Sequence, residues 1–176
     1  MSGEAERHRA KMARRKQVQD AEVAAKTIAE KGLLIVNTGP GKGKSTAAFG
    51  LLLRMIGHGR QTAVVQFIKG AWSTGERSVL ERLGDGLLRW HTMGEGFTWE
   101  TQDRDRDIAA CRRAWERALE LMREPGLALL VLDELNIALR YGYLALDEVV
   151  DALRARPAML HVVVTGRNAP PALVEA

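Results

Sequence analysis

From residue 32 to residue 174, short apolar runs alternate with longer stretches whose apolar positions recur every three or four residues. The first pattern suits strands buried on both faces and the second suits helices that bury one face. Strands are predicted at 33–37, 62–67, 87–90, 127–132 and 160–164. Helices are predicted at 45–56, nearly all apolar and therefore buried, and at 76–83. Two more follow: 103–123, with Ile108, Cys111, Trp115, Leu119 and Met122 on one face, and 147–154, which Pro157 ends. Such alternation indicates an α/β fold, a mostly parallel sheet with helices on both faces.

Ahead of this pattern, residues 4–30 contain neither Gly nor Pro and consist largely of Ala, Glu, Lys, Arg and Gln, a helical composition. The apolar positions Met12, Val18, Val23 and Ile28 are too sparse to build a core. The chain therefore divides into a basic helical arm over 1–31, suited to act as an active-site lid, and a domain over 32–176. The sequence stops just after the Pro170-Pro171 helix start, so a C-terminal piece is expected to be missing from the domain.

Composition adds four exclusions. At 176 residues, 46% hydrophobic and 27% charged, the chain is long and apolar enough for one folded domain and is not a disordered sequence. No apolar run is long enough to span a bilayer and the first residues are charged, so a cytoplasmic protein is expected. The single cysteine, Cys111, makes no internal disulfide and reads as a small helix residue. The net charge of +4 is concentrated in the arm, where residues 1–31 hold eight basic groups against five acidic ones. A nucleic-acid partner is not expected, because the domain lacks a spread basic face.

The sharpest chemical signal is Thr38-Gly39-Pro40-Gly41-Lys42-Gly43-Lys44-Ser45-Thr46, set between an apolar strand and a buried helix. Glycines at 39, 41 and 43 let successive backbone N–H groups converge on one phosphate. The next helix aims its N-terminal dipole at the same point. Lys44 would bridge phosphate oxygens, Ser45 would ligate Mg²⁺, and Thr46 supplies a second hydroxyl. The common phosphate-loop pattern requires Gly at 38, where this chain has Thr38.

A second signal ends the apolar run 127–132, in Asp133-Glu134. Asp133 would complete the Mg²⁺ shell opposite Ser45, or else cap the helix that follows. Glu134 could polarise water, bind the metal or bind substrate, and spacing does not choose. After the last strand comes Thr165-Gly166-Arg167-Asn168, where Arg167 is a candidate to meet phosphate at the carboxyl ends of the strands, or an ordinary surface arginine. Between the third strand and the long helix, Phe97 and Trp99 lie on a glycine-flanked loop. They either tuck under the sheet edge or cover a large flat substrate.

Taken together, NTGPGKGKSTAAFG, VVQFIKG, MGEGFTW, LVLDELN, ALRYGY and VVVTGRNAPP, in this order, resemble the P-loop type of ATP:cob(I)alamin (corrinoid) adenosyltransferase over residues 31–176. The resemblance implies a RecA-like P-loop NTPase fold, a homodimer, and transfer of the 5′-deoxyadenosyl group of ATP to a reduced corrinoid with release of triphosphate. It further implies that Gly39 to Thr46 hold the triphosphate of a nucleotide reversed relative to ordinary P-loop ATPases, and that Ser45 and Glu134 hold Mg²⁺ or Mn²⁺. Phe97 and Trp99 match the aromatics that displace the corrinoid's lower ligand, and the arm matches a segment that covers the active site.

The residues suit that chemistry independently. Cob(I)alamin is itself the nucleophile, so the chain need supply no nucleophile or general base, and His58, His91 and His161 show no triad or metal spacing. What remains is proximity and stabilisation of the departing triphosphate. Reaching Co(I) calls for a reduced flavin or flavoprotein as electron donor. A RecA-like ATPase or small-molecule kinase, and a nucleotide-gated module whose basic arm binds a partner, are the competing readings.

Overall fold

Side-chain alternation along the strands sorts the core into two layers, one on each side of a parallel sheet. The computed structural model describes residues 2–26, 30–68, 75–93 and 103–176. Two compact units divide it, Met1–Glu30 and Lys31–Ala176. In the first, helix α1 (Ser2–Ala24) has no buried face, in keeping with its sparse apolar positions.

In the second unit the elements run β1 (Leu34–Asn37), α2 (Lys44–Gly57), β2 (Gln61–Gln66), α3 (Gly75–Leu83), β3 (Leu88–Thr92), α4 (Arg104–Arg123), β4 (Leu127–Asp133), α5 (Leu135–Arg140), α6 (Leu146–Arg154), β5 (His161–Thr165) and α7 (Pro171–Val174). Among the described residues the sheet has the order β1-β5-β4-β2-β3, with every neighbouring pair parallel. The α/β expectation holds. The order itself, in which the last strand enters between the first and the fourth, had no signature in the hydrophobic pattern.

On one side, Val64, Leu129, Val131 and Val163 pack with Ala48, Phe49, Leu52 and Ile56 of α2 and Leu80 of α3. On the other, Ala63, Val65, Leu130, Leu132, Val162 and Val164 pack with Cys111, Ala114, Trp115, Ala118, Leu121 and Met122 of α4 and with Val149, Val150 and Leu153 of α6. Neighbours in sequence thus face opposite layers, as period-two alternation requires.

Three expectations need correction. Helix α2 is not buried all round: Leu53 is 46% exposed, because only the face toward the sheet has a neighbour to pack against. Strand β3 continues to Thr92, since His91 and Thr92 pair with Val65 and Gln66 of β2 and backbone pairing outweighs their polarity. Strand β4 includes Asp133, and the cap position of α5 belongs to Glu134, so Asp133 is not the cap.

Candidate nucleotide and metal site

The five strands end at one level, and each ends in a polar residue. Asn37 of β1 pairs with Thr165 of β5, Gln66 of β2 pairs with Asp133 of β4 and with Thr92 of β3, and Asp133 and Thr165 each follow the pair Leu132 and Val164. The apolar strand interiors therefore deliver Asn37, Thr165, Asp133, Gln66 and Thr92 as one row across the carboxyl edge of the sheet, where ligands of parallel α/β proteins sit.

The phosphate loop rises from the β1 end of this row. Gly39 and Gly43 have φ of 115° and 99°, a conformation that side chains with a Cβ avoid, whereas Gly41 has no such value. Gly43 occupies the cap position of α2 with no side-chain cap, leaving the first N–H groups of the helix directed into the loop. The Lys44 ammonium donates to the Gly39 carbonyl at 3.0 Å and also to that of Gly41, spanning the loop from within. Asn37 Nδ2 donates to the Lys44 carbonyl at 3.2 Å, tying the strand end to the helix start. Pro40, Lys42 and Thr46 are exposed around this cradle.

Asp133 is fully buried and accepts hydrogen bonds from Ser45, Thr165 and Gln66. Ser45 Oγ donates to Oδ1 at 2.6 Å, Thr165 Oγ1 donates to Oδ1 at 2.8 Å, and Gln66 Nε2 donates to Oδ2 at 2.9 Å. Thr165 also accepts from the Glu134 N–H at 2.9 Å, so one hydroxyl bridges the two adjacent acids. Glu134 is half-buried with φ 63°, a left-handed conformation that is uncommon for a residue with a Cβ and concentrates at functional sites. Its side chain does not cap α5. Gly166 is placed so that an added Cβ would lie 2.8 Å from Asn136 Cβ and 3.3 Å from Glu134 Oε2, and Asn136 Nδ2 donates to the Gly166 carbonyl at 2.9 Å. Turn and acid are fitted to each other.

Thr38, the departure from the common loop pattern, has a visible contact. Its hydroxyl accepts the Ala169 N–H at 3.0 Å, joining the loop to the segment that carries the exposed Arg167. The structure thus brings Lys44, Ser45, Asp133 and Glu134 together and sets the loop of Arg167 against the phosphate loop. Phe97 and Trp99 lie outside the described residues.

Hard oxygen donors are what a small divalent cation accepts, and Mg²⁺ takes one or two carboxylates with the rest of its shell from water and phosphate. Ser45, Asp133 and Glu134 fit that pattern. Among the described residues no group of three His, Cys, Asp or Glu could hold a metal by itself. His161 Nδ1 accepts the Leu33 N–H, and His91 faces Arg117 with its pKa lowered first by burial and then by that guanidinium. Cys111 is buried in the α4 core and its thiol is pushed up to about 12, chiefly by desolvation, so it remains protonated. Sequence reasoning missed Gln66, Thr92, Asn37 and Asn136; for Asn37 the signal was the first polar residue closing the apolar run 33–36.

Comparison with known proteins gives a consistent result. Residues 30–176 match the model of the family described as ATP:corrinoid adenosyltransferase BtuR/CobO/CobP, and residues 1–23 match one described as cob(I)alamin adenosyltransferase N terminal. The chain is 54% identical to a corrinoid adenosyltransferase of Pseudomonas aeruginosa, over 97% of this chain and 83% of that protein. It is 55% identical to one of Sinorhizobium sp, over 96% and 79%, and 45% identical to one of Escherichia coli (strain K12), over 93% and 81%.

Proposed function

Since the chain belongs to the ATP:corrinoid adenosyltransferase family BtuR/CobO/CobP, we propose that it carries out the reaction by holding the triphosphate of ATP in the loop from Gly39 to Thr46 while the corrinoid cobalt attacks C5′. It is a transferase acting on corrinoids. The Co–C bond forms with both electrons of Co(I), the C5′–O bond breaks, and triphosphate departs with the electron pair of that C5′–O bond. The observation that carries the assignment of roles is the Ser45–Asp133 contact at 2.6 Å beside the loop, between a hydroxyl in the first turn of α2 and the acid that ends β4.

No side chain needs to act as nucleophile, because the substrate supplies one. The chain's work is to fix C5′ in line with cobalt and to receive charge on the leaving oxygens. Lys44 leaves its loop carbonyls for the phosphate oxygens, and the N–H groups of the loop and of α2 point at the same oxygens. Arg167 reaches the nucleotide from the segment that Thr38 holds. Ser45, Asp133 and Glu134 would hold Mg²⁺ or Mn²⁺, which when bound neutralises charge on the triphosphate. Glu134 follows Asp133 directly with a left-handed backbone, φ 63°, and its Oε2 lies beside Gly166.

Phe97 and Trp99 are assigned to an apolar wall that excludes the corrinoid's lower ligand and water, which eases reduction to Co(I) by a reduced flavin or flavoprotein. The arm over residues 1–31 and the domain over 32–176 act in a cytoplasmic homodimer. No described helix is long and apolar enough to cross a membrane.

The test is anaerobic incubation with chemically reduced cobalamin and MgATP. A light-sensitive Co–C product with free triphosphate in equal amount is expected. ADP and phosphate with an unchanged corrinoid would instead mean an ATPase or kinase.

A further inference from the structure

Gln66 is 4% exposed at the end of β2 and has no part in the roles assigned above. Its amide has two ends, and the surrounding donors decide which way each points. Trp90 Nε1 lies 2.9 Å from Gln66 Oε1, and an indole N–H only donates, so the oxygen must face it. Thr92 Oγ1 lies 3.0 Å from the same oxygen and also accepts from Arg77 Nη1 at 3.1 Å. A guanidinium likewise only donates, which leaves the threonine's own proton for Gln66. The Gln66 NH₂ is thereby turned toward Asp133 Oδ2, 2.9 Å away.

The indole is itself held on both sides. Phe49 packs against it at 5.2 Å between ring centres, tilted by 49°, and the Arg77 guanidinium lies 5.8 Å from its centre. A flipped amide would present oxygen to the carboxylate and NH₂ to the indole N–H, breaking the hydrogen bonds to Asp133 and Trp90. One orientation is enforced from the edge strand inward.

We propose that Gln66 is a positioning residue for the metal–nucleotide site, set by Trp90 and Thr92 and acting through Asp133. The proposal rests on the reading of Asp133 as a metal-holding acid. By clamping Oδ2, Gln66 stops the carboxylate from rotating about its last bond and keeps Oδ1 on the side of Ser45 and Thr165. Partners of this kind behind a metal ligand change metal affinity about 10- to 100-fold when removed.

The experiment measures binding and not turnover: Mn²⁺ and ATP are titrated onto the full chain, free Mn²⁺ is read by electron paramagnetic resonance, and metal-free ATP binding is read separately. Gln66→Met is expected to weaken Mn²⁺ in the ternary complex about 10- to 100-fold, leaving metal-free ATP binding within about threefold, since the phosphate loop is on another strand. Thr92→Val, at a half-buried position, is the second variant should Gln66→Met not fold, and is expected to weaken Mn²⁺ by a smaller factor. The double variant should bind Mn²⁺ no more weakly than Gln66→Met, because Thr92 acts through Gln66. Wild-type Mn²⁺ affinity in both single variants, equal losses with and without metal, or fully additive losses would each overturn the proposal. Asp133→Asn runs in parallel: if it too binds Mn²⁺ as wild type does, the reading of Asp133 fails, whereas loss in Asp133→Asn alone overturns only the role of Gln66.

Discussion

Ser45 Oγ and Asp133 Oδ1 meet at 2.6 Å although 88 residues separate them in sequence. The hydroxyl opens α2 and the acid closes β4, and the insertion of β5 between β1 and β4 sets the gap that they bridge. Replacing Ser45 by Ala removes a donor to a buried carboxylate, which costs about 1.5–3 kcal/mol for a hydrogen bond to a charged group. Urea unfolding of Ser45→Ala should show that loss, and adenosyl transfer should require more Mg²⁺. Ser45→Thr restores the hydroxyl and should recover both.

Lys44 separates activity from stability. Its contacts are with the loop carbonyls of Gly39 and Gly41, and no core packing depends on it. Lys44→Ala should slow transfer by about 100- to 1000-fold, the range for losing a donor to developing negative charge. Its urea midpoint should stay within about 0.5 kcal/mol of wild type, as for other changes away from the core. Parallel unfolding curves and product rates check the two halves of this statement.

Two glycines make a matched pair. An alanine at 166 combines φ 128° with a Cβ 3.3 Å from Glu134 Oε2, so Gly166→Ala should lose about 1–3 kcal/mol and also displace an acid of the site. An alanine at 32 would place its Cβ 2.2 Å from the Leu160 carbonyl oxygen, ahead of β5 at the opposite edge of the sheet. Gly32→Ala should therefore destabilise at least as much, while its folded fraction keeps the wild-type turnover. Comparing kcat per folded molecule distinguishes the two.

Cys111 predicts alkaline behaviour. Burial raises its thiol from 9.0 to about 12, so the folded state keeps a proton that the unfolded chain gives up. Its contribution is whole below pH 9, and stability declines as pH rises from there toward 12, because the unfolded state binds fewer protons. Urea midpoints measured across that window should fall less steeply for Cys111→Ala than for wild type. Native protein at pH 8 should resist iodoacetamide and react once unfolded.

Much of the site could be read from the chain because chemistry there is local in sequence. Gly39 to Thr46 form one loop, and Asp133 and Glu134 are neighbours. Element types were legible for the same reason, as with α4 and its single apolar face. The row of strand ends was not. Gln66 and Thr92 gain meaning only from pairing with Asp133 and with each other, and pairing depends on strand order, which a run such as Val64-Val65 does not encode. Thr38 looked like a defect because its partner, the Ala169 N–H, is 131 residues away.

The position of β1 governs when the site can exist. Among the described residues it has one neighbour in the sheet, β5, and Leu34 pairs with Val162. As the chain leaves the ribosome, β2, β3 and β4 can pair among themselves, but the phosphate loop hangs from a strand with nothing to align it until residue 165 has emerged. Contacts so distant in sequence form late, after the entropy of closing the intervening chain has been met. A nascent chain short of that residue carries the whole phosphate-loop motif and still has no place to hold ATP.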